Sequence, residues 1–164
     1  MILVGLGSNL TTPRLTTSEM VLEAALKSLE NRKIELLKRS AWFRSAPVPE
    51  SDQPWFVNGV ASLRTDLSPW ELLAVLHEVE AEHERVRSVP NASRTLDLDL
   101  LAYDDRVVDG AGGLMLPHPR LSERAFVLQP LAELAPDWRH PVSGLTAAEM
   151  LAELPPGQQV ERLG

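Results

Sequence analysis

The stretch Arg94-Thr95-Leu96-Asp97-Leu98-Asp99-Leu100-Leu101 decides how this chain is read. Leu96, Leu98 and Leu100 alternate with Asp97 and Asp99, a period of two that predicts a β-strand with one apolar face. The opposite face then carries two carboxylates side by side. Like charges held that close repel unless cations neutralise them. A rigid strand bearing such a pair is a mount for one or two Mg²⁺ ions, whose hard oxygen ligands are carboxylates and phosphate oxygens. Arg85, Arg87 and Arg94 lie just upstream. Taken alone, the aspartates would also suit a solvent-facing strand. Arg85 and Arg87 would also suit a helix C-terminus, where the dipole favours cations. Acids for metal beside arginines for phosphate point instead to chemistry on a nucleoside triphosphate.

Working outward, the pattern predicts elements in the order β-α-β-β-α-β. Ile2-Leu3-Val4-Gly5-Leu6 reads as a buried first strand closed by a Gly7-Ser8-Asn9 turn. Thr17 to Leu29 reads as a helix with Leu22, Leu26 and Leu29 on one face. Strands are expected over Ile34–Arg44 and Trp55–Leu63, joined by a proline-rich loop from Ala46 to Pro54. Ser68-Pro69-Trp70-Glu71 is a helix start, with Ser68 as N-cap, proline at the first helical position and Glu71 closing a capping box. That helix should run to about Arg85 and lead through a polar loop into the acidic strand. Gly110 to Gly113 marks a turn, Leu121 to Leu134 holds short helical pieces, and Ala147 to Leu154 a last helix. The tail from Pro155 is expected to be loose. The order implies an α+β fold: a ferredoxin-like antiparallel sheet with helices packed on one face, plus a short C-terminal hairpin and helix. Residues 1–164 read as a single domain, with no internal repeat or linker.

Composition narrows the function. The chain has 164 residues, 44% apolar and 24% charged, which is ordinary for a soluble globular domain. No apolar run approaches a membrane span, and the N-terminus lacks the pattern of a signal peptide. There is no cysteine, so disulfides and thiolate metal sites are excluded. A cytoplasmic location is the expectation. A net charge of −7 argues against nucleic acid as a partner, so the local arginines carry more meaning than the total.

Three further clusters bear on chemistry. Gly7-Ser8-Asn9 follows a buried strand but is not a phosphate-cradling Walker loop, and GxxxxGK[ST] occurs nowhere in the chain. Gln53-Pro54-Trp55-Phe56-Val57-Asn58 places an amide among aromatics. Asn58 there can satisfy backbone groups or read the edge of a stacked heterocycle, since an amide both donates and accepts. Pro117-His118-Pro119 precedes Arg124 and Phe126, each of which alone would be an ordinary structural residue.

Together these residues resemble one family, the 6-hydroxymethyl-7,8-dihydropterin pyrophosphokinases of folate biosynthesis. The motifs are Gly7-Ser8-Asn9, Ser45-Ala46-Pro47-Val48, Gln53 to Asn58, Glu80 with Arg85-Val86-Arg87, Arg94 to Asp99, and Pro117-His118 with Arg124-Ala125-Phe126-Val127-Leu128. The resemblance implies transfer of pyrophosphate from ATP to 6-hydroxymethyl-7,8-dihydropterin, giving AMP and the pterin pyrophosphate. It implies that Asp97 and Asp99 hold two Mg²⁺ ions and that Arg85 and Arg94 act on the triphosphate. Glu80, Arg87, Leu98, His118 and Arg124 fall on the ATP side. Ser45, Val48, Phe56, Asn58 and Phe126 fall at the pterin, stacked between the two aromatics. The expected partners are these two small molecules, with no nucleic acid and no membrane, and the expected state is a monomer.

The chain departs from the pattern of many such relatives: Gly110 to Met115 lacks polar residues that some use near ATP, the stretch from Arg87 to Arg94 is about one residue shorter, and three places differ in residue type. Asn91-Ala92-Ser93 stands where a Trp-Gly-Pro-like run is common, Phe56 where some carry tyrosine, and Ser45 where some carry threonine. Two other readings use the same residues: a non-catalytic ferredoxin-like module holding one cation, and a nucleotide transferase acting on another heterocycle. The first offers no reason for the arginines or the aromatic–amide cluster; the second is the weaker enzymatic alternative, and the identity of the product separates it.

Overall fold

Strand β1 (Ile2–Ser8) lies inside a six-stranded antiparallel sheet, flanked by β4 (Phe56–Arg64) and β5 (Asp97–Tyr103). The structure, a computed structural model, describes residues 1–9, 17–47, 51–83 and 96–163. Beyond β4 the sheet continues through β3 (Phe43–Ser45) to β8 (Val160–Arg162), while β2 (Glu35–Arg39) pairs with the other end of β4. A separate two-stranded hairpin joins β6 (Val108–Asp109) to β7 (Met115–Leu116). The four α-helices are α1 (Ser18–Glu30), α2 (Pro69–His83), α3 (Ala125–Leu134) and α4 (Ala147–Ala152).

β1 is apolar along its length because both of its faces are covered. Ile2, Val4 and Leu6 join the core beneath α1 and α2, together with Leu96, Leu98 and Leu100. Leu3 joins a second core on the opposite face, with Val60, Leu101, and Leu128 and Leu131 of α3. Helices therefore cover both faces of the sheet, where the sequence implied one. Strand alternation tells which residues share a face but not which distant helix lies on it. On α2, Leu72, Leu76 and Val79 are fully buried, each contributing on the order of 2 kcal/mol by leaving water. The capping box read at its start is present: Ser68 Oγ accepts the Glu71 N–H at 3.1 Å, and the Glu71 carboxylate accepts the Ser68 N–H at 2.9 Å.

Other boundaries differ for identifiable reasons. β1 extends through Gly7 and Ser8, which pair with Asn58 and Val57 rather than turning. The strand expected over Ile34–Arg44 breaks in two at Ser40, whose Oγ accepts the Val60 N–H at 3.0 Å and donates to the Ala41 carbonyl at 2.7 Å. Trp42 then turns into the core beneath Gly59, where an added Cβ would lie 2.5 Å from its ring. The tail is not loose. β8 pairs with β3 and matches Val160 to Ser45 and Arg162 to Phe43.

Candidate active site

The acidic strand behaves as its alternation predicts. Leu96, Leu98 and Leu100 are buried beneath α1 and α2, while Asp97 and Asp99 are half-buried on the opposite face. Glu80 of α2 secures the strand by accepting the Leu98 N–H at 2.8 Å. This satisfies a donor on the sheet edge and fixes the height of both aspartates. Asp99 meets one cationic side chain and one imidazole. Arg124 Nη1 lies 3.7 Å from its Oδ2, and His118 Nε2 lies 3.9 Å from its Oδ1. His118 is set by its own backbone, whose N–H donates to the Leu101 carbonyl at 2.8 Å. Its Nδ1 accepts the Arg120 N–H at 3.1 Å, which assigns the ring proton to Nε2, on the side of Asp99. Burial lowers the His118 pKa below the ordinary histidine value. Arg124 and Arg120 lower it further, against an opposing pull from Asp97. The ring is therefore neutral at neutral pH and presents one N–H.

Next to this charged corner, the same sheet face carries a neutral polar pair. Asn58 Nδ2 donates to Ser45 Oγ at 2.6 Å, and both residues are almost fully buried. Asn58 Oδ1 faces Gly7, where an added Cβ would stand 3.2 Å away. Phe56 starts β4 opposite Ser45, and Phe126 sits in the first turn of α3. Both phenyl rings are only partly buried, unlike the leucines around them. The Arg124 guanidinium lies 5.5 Å from the Phe126 ring centroid, so one short segment serves both the charged corner and the aromatic one. Asn9 closes the end of β1: its Nδ2 donates to Gln53 Oε1 and to the Pro54 carbonyl, each at 3.1 Å.

Residues 3–136 match the family model of 7,8-dihydro-6-hydroxymethylpterin-pyrophosphokinase. The chain belongs to this pyrophosphokinase family. It is 44% identical to the 2-amino-4-hydroxy-6-hydroxymethyldihydropteridine pyrophosphokinase of Pseudomonas aeruginosa over 98% of this chain and 94% of that protein. A Synechocystis pyrophosphokinase of the same name is 40% identical over 92% of this chain and 74% of its own. The fold is shared with a Plasmodium falciparum HPPK-DHPS crystal structure with pteroate, at a TM-score of 0.72 and 12% identity. That match covers 93% of this chain and 44% of the other.

Of the pyrophosphokinase site residues expected from sequence, the fold brings Asp97, Asp99, His118 and Arg124 together, and Ser45, Asn58 and Phe56 on the same sheet face. Phe126 adjoins Arg124. Glu80 and Leu98 meet each other through the strand backbone. Arg85, Arg87, Arg94 and Val48 lie outside the described residues. Two carboxylates on one strand face suit Mg²⁺, which is commonly held by one or two carboxylates with substrate phosphates and waters completing the octahedron. Among the described residues no third acidic or histidine side chain completes a protein-only metal site. The sequence reading missed Gln158, whose side chain bonds the backbone on both sides of Arg124. It stands in the polar stretch Gly157-Gln158-Gln159, and nothing local marks it.

Proposed function

We propose that residues 1–164 act as one pyrophosphokinase domain that transfers pyrophosphate from ATP to 6-hydroxymethyl-7,8-dihydropterin in folate biosynthesis. The observation that carries this reading is the adjacency, on one sheet face, of a paired-carboxylate corner and a neutral amide–hydroxyl corner flanked by half-exposed aromatics. The first suits a polyphosphate with its counter-ions and the second a flat, hydrogen-bonding heterocycle. The hydroxymethyl oxygen forms a bond to the β-phosphorus and gives up its proton to solvent, while the bond from that phosphorus to the α,β-bridging oxygen breaks and the oxygen leaves with AMP.

Asp97 and Asp99 would hold Mg²⁺, and the ions would supply charge neutralisation around the reacting phosphate. Arg124 offsets charge beside Asp99, and the His118 Nε2–H is available to a phosphate oxygen. Asn58, oriented by Ser45, reads the pterin edge, while Phe56 and Phe126 stack against its faces. Arg85 and Arg94 are assigned to the triphosphate, and Arg87 to the ATP side with them. Val48 is assigned to the pterin pocket, and Glu80 and Leu98 to the support of the ATP side. Such a division of labour, positioning plus electrostatic stabilisation, is what phosphoryl-type transfer demands of a protein.

The strand order β5-β1-β4, with β2 and β3 beyond it, supports the ferredoxin-like description of the sheet. Among the described residues no helix is long and apolar enough to cross a membrane. We place the enzyme in the cytoplasm as a monomer without nucleic-acid partners. The deciding experiment incubates the protein with ATP, Mg²⁺ and the reduced pterin and identifies the nucleotide product. AMP with pterin pyrophosphate is expected. ADP, or no pterin-dependent product, overturns the proposal.

A further inference from the structure

The family match ends at residue 136, yet the chain beyond it reaches back to the site. Gln158 precedes β8, and its side-chain amide grips the main chain on either side of Arg124. Oε1 accepts the Ala125 N–H at 2.9 Å, and Nε2 donates to the Glu123 carbonyl at 2.8 Å. We infer that Gln158 is a positioning residue that aims Arg124 at the nucleotide, an inference that rests on the activity proposed above.

The local backbone explains why Arg124 needs this support. Arg124 is the N-cap residue of α3, between the 3₁₀ turn Leu121–Glu123 and the helix, with extended φ and ψ of −116° and 108°. A helix N-terminus leaves N–H groups without intrahelical partners, and a side chain at the cap usually takes one of them. Arg124 makes no such capping bond. Its guanidinium is directed to Asp99 and Phe126 instead. Gln158 takes over the task from a distant part of the chain by accepting the N–H of Ala125, the first helical residue. By holding Glu123 as well, it fixes both peptide groups that flank Arg124. A rotation at this junction would swing a long side chain away from Asp99.

The clamp has a firm base. The Ala46 N–H donates to the Gln159 carbonyl at 3.1 Å, and the Leu163 N–H to the Trp42 carbonyl at 2.9 Å. Arg162 Nη2 donates to Glu133 on α3 at 2.8 Å. β8 also pairs Val160 with Ser45, so the same strand braces the partner of Asn58. The C-terminal strand thus references the charged corner and the amide corner to one another.

The test is a double-mutant cycle read by ATP affinity in the presence of Mg²⁺, with product analysis on the wild type. Gln158→Met keeps length and packing and removes both hydrogen bonds. Gln158→Glu keeps the acceptor for Ala125 and loses the donor to Glu123. Gln158→Met is expected to weaken ATP binding on the order of tenfold, the scale of two such bonds. Gln158→Glu should fall between it and the wild type. In an Arg124→Ala background the same Gln158→Met change should cost less than about twofold, because the group it aims is gone. Equal losses in both backgrounds, or none in the wild type, would overturn the inference, since a merely structural staple acts regardless of Arg124. If Gln158→Met does not fold, the Gln158→Glu cycle gives the same answer. AMP formation by the wild type separates the two readings. Its absence overturns the activity and this inference together, whereas AMP with additive losses overturns this inference alone.

Discussion

Arg124 Nη1 lies 3.7 Å from Oδ2 of Asp99, so the second aspartate of the acidic strand is partly neutralised before any cation arrives. Asp97 has no such ion pair among the described residues. The two positions should therefore separate in stability while agreeing in activity. Either alanine substitution should reduce turnover by about 10²–10³-fold, the scale of losing one electrostatic contributor at a reacting phosphate. Asp97→Ala should hold or slightly raise apo stability by relieving like-charge repulsion. Asp99→Ala should lower it by about 1 kcal/mol or less, because the pair it breaks is long and partly solvated. Urea melts of the metal-free proteins beside initial rates decide this. Equal stabilities would mean that the Arg124 pair contributes nothing.

Phe126 is half-buried at the start of α3, whereas Val127 and Leu128 beside it are buried. A core phenylalanine in that turn would be expected to point inward with them. Phe126→Ala should weaken pterin binding by about tenfold, at about 1.4 kcal/mol for a lost stacking contact, and leave ATP binding within about twofold. Calorimetric titration of each ligand measures both. Equal losses, or a large drop in melting temperature, would assign Phe126 to the core.

How much of this was legible depends on how local each signal was. The alternation of Leu96–Leu100 with the aspartates and the Ser68–Glu71 capping box are short-range patterns, and both stand as read. The break at Ser40 was not legible, because the bond that stabilises it comes from Val60, in another strand. The ordered tail was missed for the same reason: Glu161 meets Arg44 across 117 residues of sequence. Ser45, Asn58, His118 and Arg124 came from the family motifs. Nothing in their individual contexts ranked them above structural polar residues, because they come near one another through contacts between distant parts of the chain: Ser45 and Asn58 within the sheet, His118 and Arg124 at Asp99 from outside it.

Gly59 tests the packing beneath the site. An added Cβ would lie 2.5 Å from Cζ3 and 2.6 Å from Cε3 of Trp42, a ring too rigid to yield locally. Gly59→Ala should therefore cost about 1–3 kcal/mol, as overpacking does in a filled core. Thermal unfolding measures it. A second substitution, Trp42→Leu, should recover part of the loss. No recovery would mean that the strain lies elsewhere.

His140 gives a pH dependence away from the site. Its Nδ1 accepts the N–H groups of Val142 and Ser143 at 3.1 and 3.2 Å, and burial lowers its pKa from the ordinary 6.5. The unfolded chain then binds more protons than the folded one once pH drops below about 6.5. The stability tied to the neutral ring is fully present above that value and is lost as pH falls through the folded pKa. His140→Asn should flatten the decline measured by urea melts between pH 7 and 5. His118, also lowered, contributes in the same sense and remains, so the decline should shrink without vanishing. An unchanged slope would show that His140 titrates alike in both states.

Gly7 sits opposite Asn58 in the β1–β4 ladder, with no side chain on the face where Asn58 and Ser45 meet. Its importance follows from the space it leaves. A Cβ there would stand 3.2 Å from Asn58 Oδ1, closer than a methyl group sits comfortably against oxygen. β1 cannot retreat, because it is paired on both edges, with Asp97 as the partner of Gly7 on the other side. The Asn58 side chain must give way, and its 2.6 Å bond to Ser45 is the contact that would be disturbed. Gly7→Ala should thus weaken pterin binding several-fold, on the scale of one disturbed hydrogen bond. Global stability should change little, since strand geometry tolerates alanine. Asp97 remains on its own strand, so ATP affinity should stay within about twofold. Titration of both ligands against the wild type reads the difference. If ATP binding falls as far as pterin binding, the substitution has shifted the whole β1–β5 pair, and the reasoning from Asn58 fails.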